Sequence, residues 1–442
     1  MNISVVGLGK LGSVLATVLA DSGASVIGID TDPGAVAAIN EHRAPVSEPG
    51  LNELLAAQGR RISATTDLAS AIAVSELTFV VLPTPSLPNG TFSMDYVLDA
   101  CHSIGAALRR KSSYHLIVIS STVMPGSMDG FVRKVLEDTS GKMCGEDFGL
   151  CYNPEFIALG RVIADLRNPD MILIGESDAR AGAMLEAVYG QVCRNRPQIM
   201  RMNFVNAELA KIAVNSFVTM KISFANTMAE LCGRTEGADS AQVLGTIGMD
   251  SRVGQKYLQG GLGYGGPCFP RDNAAFSAFA RQHGVEASLA ESTDRVNRRQ
   301  VELLRSRILE LLPEDGTVAV LGLSYKPETP VVEEAQGVQL ARALASAGHS
   351  VVVYDPQAIA NARLVLGGSV RYAASMRECT EGAAVVVIVT PWEEFRSLPS
   401  CRVPVIDCWR ILPAGEFPLY ETIGLGPRNA SLDVAAGVLS IG

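Results

Sequence analysis

Residues 260–272 read GGLGYGGPCFPRD: five glycines lead to Cys268, and Asp272 follows four residues later. A cysteine thiolate is a ready nucleophile towards a carbonyl carbon. Glycine lets the main chain approach a ligand closely and adopt angles closed to other residues, but it costs conformational entropy, so a purely structural loop rarely needs so much of it. The other eight cysteines, Cys101, Cys144, Cys151, Cys193, Cys232, Cys379, Cys401 and Cys408, show no CxxC spacing. They read as small buried hydrophobes and argue against a disulfide framework or a zinc knot. The five histidines lie away from these stretches, which argues against histidine acid–base chemistry, and no metal site is expected.

A second set of polar groups rides on a long helical pattern, Asn206 to Cys232, that is apolar on nearly every face. Lys211, Asn215, Thr219, Ser223 and Thr227 recur every fourth residue and so share one helical face. Hydrogen bonds to neighbouring helices account for Thr219 to Thr227. Lys211 and Asn215 are costlier to bury without a ligand. A helix apolar all round belongs between domains or in a dimer interface.

The elements that must position these groups begin at the N-terminus. An apolar run, Ile3 to Val6, meets Gly7, Gly9 and Gly12 in VVGLGKLG; a helical segment follows, then a strand ending at Asp30. In such a βαβ unit the first glycine permits the tight turn, the second lets a pyrophosphate approach, and the third lets helix and strand pack closely. The helix N-terminus attracts the phosphates. Asp30 is placed to accept the ribose hydroxyls, which favours NAD. Gly7, Gly9, Lys10, Leu11, Gly12, Asp30, Thr84 and Thr122 form the expected cofactor-binding set. Further apolar runs, 77–85, 116–123 and 148–156, end in polar or proline-rich residues, placing Thr84, Thr122 and Glu155 at the C-terminal ends of buried parallel strands.

Near residue 317 the design recurs: VAVLGLSYKPE, a helix, then VVVYDP. The second copy lacks the later glycines, with Ser324 and Lys326 nearby instead. The expected fold is α/β: two doubly wound Rossmann-like domains joined by a long central helix and a helical middle domain. Boundaries fall at 1–200 (NAD-binding), 201–300 (helical, dimerisation, carrying the lysine and the thiol) and 301–442 (the second Rossmann-like domain).

Composition is that of a soluble globular protein. The chain has 442 residues, 48% hydrophobic and 19% charged, with a net charge of −9, which suits two or three domains. No basic block with interleaved aromatics is present, arguing against nucleic acid. Runs such as Ala383 to Val389 are too short to span a membrane, and MNISVVGLG lacks the marks of a signal peptide. A cytoplasmic location is expected.

With these residues in hand, the sequence resembles the UDP-glucose/GDP-mannose dehydrogenase family. The likeness rests on GLGKLG, EPGL (48–51), LPTP (82–85), SSTVMPG (120–126), YNPEF (152–156), ELAKIAVNSF (208–217), GYGGPCFPRD (263–272) and SYKPET (324–329), in that order. It implies NAD-dependent, four-electron oxidation of a nucleotide sugar's primary alcohol at C6 to a carboxylate, within polysaccharide biosynthesis and in a homodimer, and makes 301–442 the sugar-nucleotide-binding domain. By position, Cys268 matches the nucleophile that forms a thiohemiacetal and then a thioester. Lys211 matches the oxyanion or proton-moving lysine, with Asn215 its partner and Asp272 a supporting acid. Glu155 matches a glutamate linked to water activation, beside Thr122. Phe156, Tyr257 and Gly265 join Glu155, Lys211 and Asn215 as substrate contacts. Arg252 matches an arginine that reaches substrate in the partner subunit, and Tyr325, Lys326 and Arg410 match substrate-domain contacts.

Three departures stand out. Leu159 replaces a second glutamate after NPEF, Glu333 falls where an arginine approaches the pyrophosphate, and Pro267 stands before the thiol where a small residue is usual. Two alternatives remain: a two-electron NAD-dependent alcohol dehydrogenase on a nucleotide-linked substrate, and a catalytically impaired NAD- or sugar-nucleotide-binding protein. The sugar and base stay open between GDP-mannose and UDP-sugar types.

Overall fold

The computed structural model describes residues 1–427. The chain divides into two compact units, Met1–Ala213 and the part from Val214 onward. In the first, β1 (Asn2–Val6), β2 (Ser25–Ile29), β3 (Ile62–Thr65), β4 (Leu77–Val80), β5 (His115–Ile119), β6 (Phe148–Tyr152), β7 (Met171–Glu176) and β8 (Gln198–Met202) form one sheet. The order is β3-β2-β1-β4-β5-β6-β7-β8. Pairs from β3 to β6 are parallel; β7 runs antiparallel to β6, and β8 parallel to β7.

Strands β4, β5 and β6 are buried at every residue, as parallel strands covered on both faces must be. Their side chains alternate between two cores. Ile3, Val5, Leu77, Phe79, Leu116 and Val118 join one, under the helix Gly12–Asp21; Val6, Val80, Ile117 and Ile119 join the other, under Asp95–Leu108. The strands stop at Val80, Ile119 and Tyr152, short of the apolar runs that announce them. Pro83, Pro85 and Pro154 have no N–H to give a ladder, so the residues beyond become loops. The strand order reverses between β1 and β4, opening the crevice where such sheets bind ligands.

In the second unit, β9 (Thr317–Leu321), β10 (Ser350–Tyr354), β11 (Arg371–Tyr372), β12 (Val385–Ile388), β13 (Val405–Asp407) and β14 (Tyr420–Thr422) pair in parallel, in the order β11-β10-β9-β12-β13-β14. This repeats the order of the first sheet's first six strands, and Val318 and Val320 again face one core while Ala319 and Leu321 face the other.

The repeat reaches further than the spacing of glycines suggests. Gly7 (φ +95°) donates to the Ile29 carbonyl and Gly322 (φ +105°) to that of Tyr354, both at 2.8 Å. A Cβ on Gly12 would lie 1.8 Å from the Gly7 carbonyl oxygen, and one on Gly337 2.0 Å from that of Gly322. Gly337 is therefore the counterpart of Gly12, so of the later glycines the second copy lacks only that of Gly9, where Ser324 stands. The motif is hidden because a longer loop separates the pair.

The helix Phe204–Gly233 runs for 30 residues, about 45 Å, and the division between the units falls within it. Helices Ser240–Gly248, Phe269–Gln282 and Ser288–Leu311 belong to the second unit. No helix among the described residues is long and apolar enough to cross a membrane.

Candidate active site

In the first unit the glycine turn divides its labour clearly. A Cβ on Gly7 would fall 2.3 Å from the Val81 carbonyl oxygen, and Gly12 is closed by Gly7 itself; Gly9 meets nothing within 4 Å. Gly9 alone faces open space, as approach by a pyrophosphate requires. Asp30, at the end of β2, accepts from Leu8 N at 2.6 Å and Asp32 N at 2.9 Å, which fixes its carboxylate at the lip of the turn. Thr84 donates to the Thr122 carbonyl at 2.7 Å, while Ser121 Oγ exchanges hydrogen bonds with the Leu82 backbone. These bonds zip the loops after β4 and β5 together. Lys10 is exposed beside the turn and Leu11 half-buried. The residues present thus fit a dinucleotide.

The same positions in the second unit are closed. Asp355, the counterpart of Asp30, is buried and accepts from Leu323 N, Ser324 N and Oγ, Trp392 Nε1, Gln357 N and Ala358 N. A carboxylate so fully engaged has no lone pair for a ribose.

Glu155 follows β6. Burial pushes its carboxyl up to about 7, against the pull of the Tyr189 hydroxyl and of Lys211. The Lys211 ammonium, itself buried, donates to the Glu155 carbonyl at 2.6 Å and lies 4.5 Å from the centre of the Phe156 ring. One turn before Lys211, the buried Glu208 accepts from Gly126 N at 2.7 Å and Met128 N at 2.8 Å. It ties the SSTVMPG loop to the helix that carries the lysine. Glu48, in EPGL, does a similar service by accepting from Gly160 N and Val162 N. Leu159 packs against the first core, which accounts for an apolar residue there. Glu208 and Glu48 escape the sequence reading because their partners lie 80 or more positions away.

In the second unit, Asn215 Nδ2 donates to Asp272 Oδ2 at 2.6 Å, and Arg271 Nε to Oδ1 at 3.2 Å. Asp272 is wholly buried, so both bonds stabilise a charge removed from water. Ser216 Oγ donates to Asn273 Oδ1 at 2.8 Å, pinning the same helix. That helix, Phe269–Gln282, begins directly after Cys268, with a proline in its first turn, where the missing N–H is harmless. Of the nine cysteines, Cys268 alone is exposed, and it sits where the helix dipole favours negative charge.

The glycines before it are closely packed. A Cβ on Gly260 would lie 2.5 Å from Ala229 Cβ, on Gly261 2.7 Å from the Trp409 ring, and on Gly263 2.4 Å from Asn297 Oδ1. On Gly265 it would lie 2.3 Å from the Glu334 carbonyl oxygen, and on Gly266 2.6 Å from the Tyr325 ring. The space left by all five missing side chains is filled by protein, so the loop's composition answers to its own packing. Gly266 N also donates to the Glu333 carbonyl at 2.9 Å; Glu333 serves here through its backbone, with its side chain exposed.

The remaining sites vary. Tyr257 (φ +64°) is half exposed and meets Phe269 edge-on. The Tyr325 hydroxyl is raised by burial, then by Cys268 and Glu333 nearby, and Lys326 Nζ lies 5.8 Å from the Tyr325 ring centre. Arg252 extends into solvent and pairs with Asp250 at 2.6 Å. Arg410 is occupied internally: it donates to Asp239 at 2.5 Å and to the Ile423 carbonyl at 3.0 Å.

Known proteins resemble this chain over most of its length. Domain models of the UDP-glucose/GDP-mannose dehydrogenase family match the NAD binding domain over residues 1–193, the central domain over 205–299 and the UDP binding domain over 319–413. The UDP-glucose 6-dehydrogenase of Haloferax volcanii is 37% identical, over 96% of this chain and all of its own length. A GDP-mannose 6-dehydrogenase of Azotobacter vinelandii is 35% identical over 80% of this chain and 81% of its own. The solved UDP-glucose dehydrogenase of the hyperthermophilic archaeon Pyrobaculum islandicum is 36% identical with a TM-score of 0.88, covering 96% of this chain and 98% of that one.

Proposed function

Because the chain belongs to the UDP-glucose/GDP-mannose dehydrogenase family and is an NAD-dependent nucleotide-sugar dehydrogenase, we propose that it carries the C6 alcohol through two oxidations to a carboxylate, with Cys268 holding the intermediate. The substrate is a sugar nucleotide of the UDP-glucose or GDP-mannose type. The observation that supports this best is Cys268 itself, the one exposed thiol of nine, at a helix N-terminus.

Bound NAD⁺ supplies the hydride acceptor for each oxidation, held by the glycine turn and Asp30. Lys211 offers its ammonium to the oxygen that carries charge at each step. The first oxidation removes a hydride from C6 and releases the hydroxyl proton to water, leaving an aldehyde, which cannot lose a second hydride until something adds to it. The Cys268 thiolate forms a bond to the carbonyl carbon, the carbonyl π pair moves to oxygen, and that oxygen takes a proton. Loss of a second hydride and of that proton leaves a thioester. Water then attacks, the sulfur departs as thiolate, and Glu155 takes the water's proton. Asn215 and Asp272, bonded to each other, hold the start of the helix that follows Cys268.

The division into 1–200, 201–300 and 301–442 then has a functional sense: cofactor, chemistry and nucleotide. The long helix supports a homodimer. Val214, Phe217, Phe224, Met228 and Leu231 take heptad positions on one face, with Lys221 at the sixth, and Phe217, Phe224 and Leu231 are 60%, 49% and 57% exposed. Such a stripe is a seam for a partner helix.

The test is a reducing-equivalent count on a panel of sugar nucleotides. The natural chain is expected to yield two NADH per sugar, and Cys268→Ser to form no acid. Full acid formation by the serine variant would refute covalent catalysis, and one NADH per sugar in the natural chain would favour the two-electron reading.

A further inference from the structure

Three side chains at the end of β6 share fewer hydrogens than they have contacts. Asn153 and Tyr189, the latter from the helix Ala179–Val192, are both 2% exposed. Asn153 Nδ2 donates to the Leu173 carbonyl at 2.9 Å, which fixes the amide and presents Oδ1 as an acceptor. Tyr189 Oη lies 2.5 Å from that Oδ1 and 3.1 Å from Glu155 Oε1. A phenol has one hydrogen to give and lone pairs with which to accept. It can serve Asn153 or Glu155, not both. While it serves Asn153, its contact with Glu155 is a hydrogen bond only if Glu155 supplies the hydrogen, as a carboxylic acid. Once Glu155 ionises, Tyr189 must turn to the carboxylate and leave the buried Asn153 oxygen bare.

We propose that Tyr189 is a positioning residue that sets the proton count of Glu155, with Asn153 competing for its single hydrogen. Glu155 rests as an acid. That state prevails below about pH 7. Glu155 becomes a carboxylate, the form that can accept a proton from water, when Tyr189 turns away from Asn153. In a titration the released proton goes to solvent and only the hydroxyl reorients. The idea rests on the reading of Glu155 given above, and adds the state in which it waits.

The titratable groups acting on this carboxyl are Tyr189, Lys211 and Cys193. Lys211, bound to the Glu155 carbonyl, favours the ionised form. The Cys193 thiol is pushed up to about 11, first by burial and then by Glu155. Burial of Glu155 opposes Lys211 and prevails, holding the carboxyl at about 7.

The experiment follows the carboxyl rather than turnover. Isotope-edited infrared spectra of the full chain, labelled at glutamate and with NAD⁺ present, are recorded against pH, the Glu155 signal being assigned by its loss in Glu155→Gln. Tyr189→Phe removes the donor to the carboxylate, and its midpoint should rise by about one pH unit, a tenfold change in the acid-to-carboxylate ratio. Asn153→Leu frees the tyrosine hydrogen for Glu155, and its midpoint should fall by a similar amount. Opposite movements support the proposal; no movement, or movement in one direction, overturns it. If Asn153→Leu does not fold, Asn153→Ala takes its place, and a Tyr189→Phe midpoint that fails to rise overturns the proposal alone. The Cys268→Ser assay reads acid formation instead, so the two ideas can fail separately.

Discussion

Replacing Glu155 by glutamine should change how stability depends on pH, by an amount the structure allows to be worked out. The folded carboxyl titrates at about 7 against an ordinary 4.5. The folded state therefore keeps a proton across this window that the unfolded chain has released. By linkage, stability falls as pH rises wherever the folded state holds more protons. The Glu155 contribution is fully favourable below pH 4.5, declines through the interval and levels off above 7. A displacement of this size corresponds to about 3 kcal/mol by pH 8. Glutamine mimics the protonated acid and does not titrate. Between pH 4.5 and 8, the natural chain should lose about 3 kcal/mol more stability than Glu155→Gln. Both tryptophans, Trp392 and Trp409, lie in the second unit, so urea unfolding is best followed by far-ultraviolet circular dichroism. Curves for the two proteins that stay parallel within about 0.5 kcal/mol across that range would refute a raised Glu155 carboxyl.

Gly9→Val should fold normally, since a Cβ there meets nothing within 4 Å, yet raise KM for NAD⁺ at least about tenfold in steady-state assays. Gly12→Val, closed by the Gly7 carbonyl at 1.8 Å, should instead abolish the folded protein, as judged by recovery and thermal melting. Gly266→Ala meets both a φ of +82° and the Tyr325 ring at 2.6 Å. It should destabilise by about 2–4 kcal/mol and alter the alkylation rate of Cys268 two residues away, measured with iodoacetamide. Phe224→Glu places a charge on the heptad stripe and should halve the mass seen by light scattering, while the circular dichroism spectrum stays unchanged.

Local patterns in the sequence carry the first βαβ unit almost completely. Gly7, Gly9, Gly12 and Asp30 take the positions their spacing implies, because one short turn decides them all. The buried strands announce themselves as apolar runs, though the prolines in LPTP and YNPEF end them earlier than hydropathy alone suggests. The second turn carries no such local signature, since the partner of Gly322 lies fifteen residues away at Gly337, beyond the reach of a fixed motif. Side chains that act across the fold leave no local mark. Glu208 caps a loop 80 residues earlier and Tyr189 meets Asn153 36 residues away. The five glycines before Cys268 were legible as a constraint but not as to what imposes it, because Tyr325, Glu334, Asn297, Trp409 and Ala229 come from scattered positions.

The long excursion between Gly322 and Gly337 supplies both the Tyr325 ring beneath Gly266 and the Glu333 carbonyl that holds its N–H. Segments 260–268 and 324–336 are thus a single heritable part, written in two places. An engineer moving the thiol loop into a homologue must carry the distant stretch as well. A recombinant that splits them would inherit the sulfur without the scaffold that aims it.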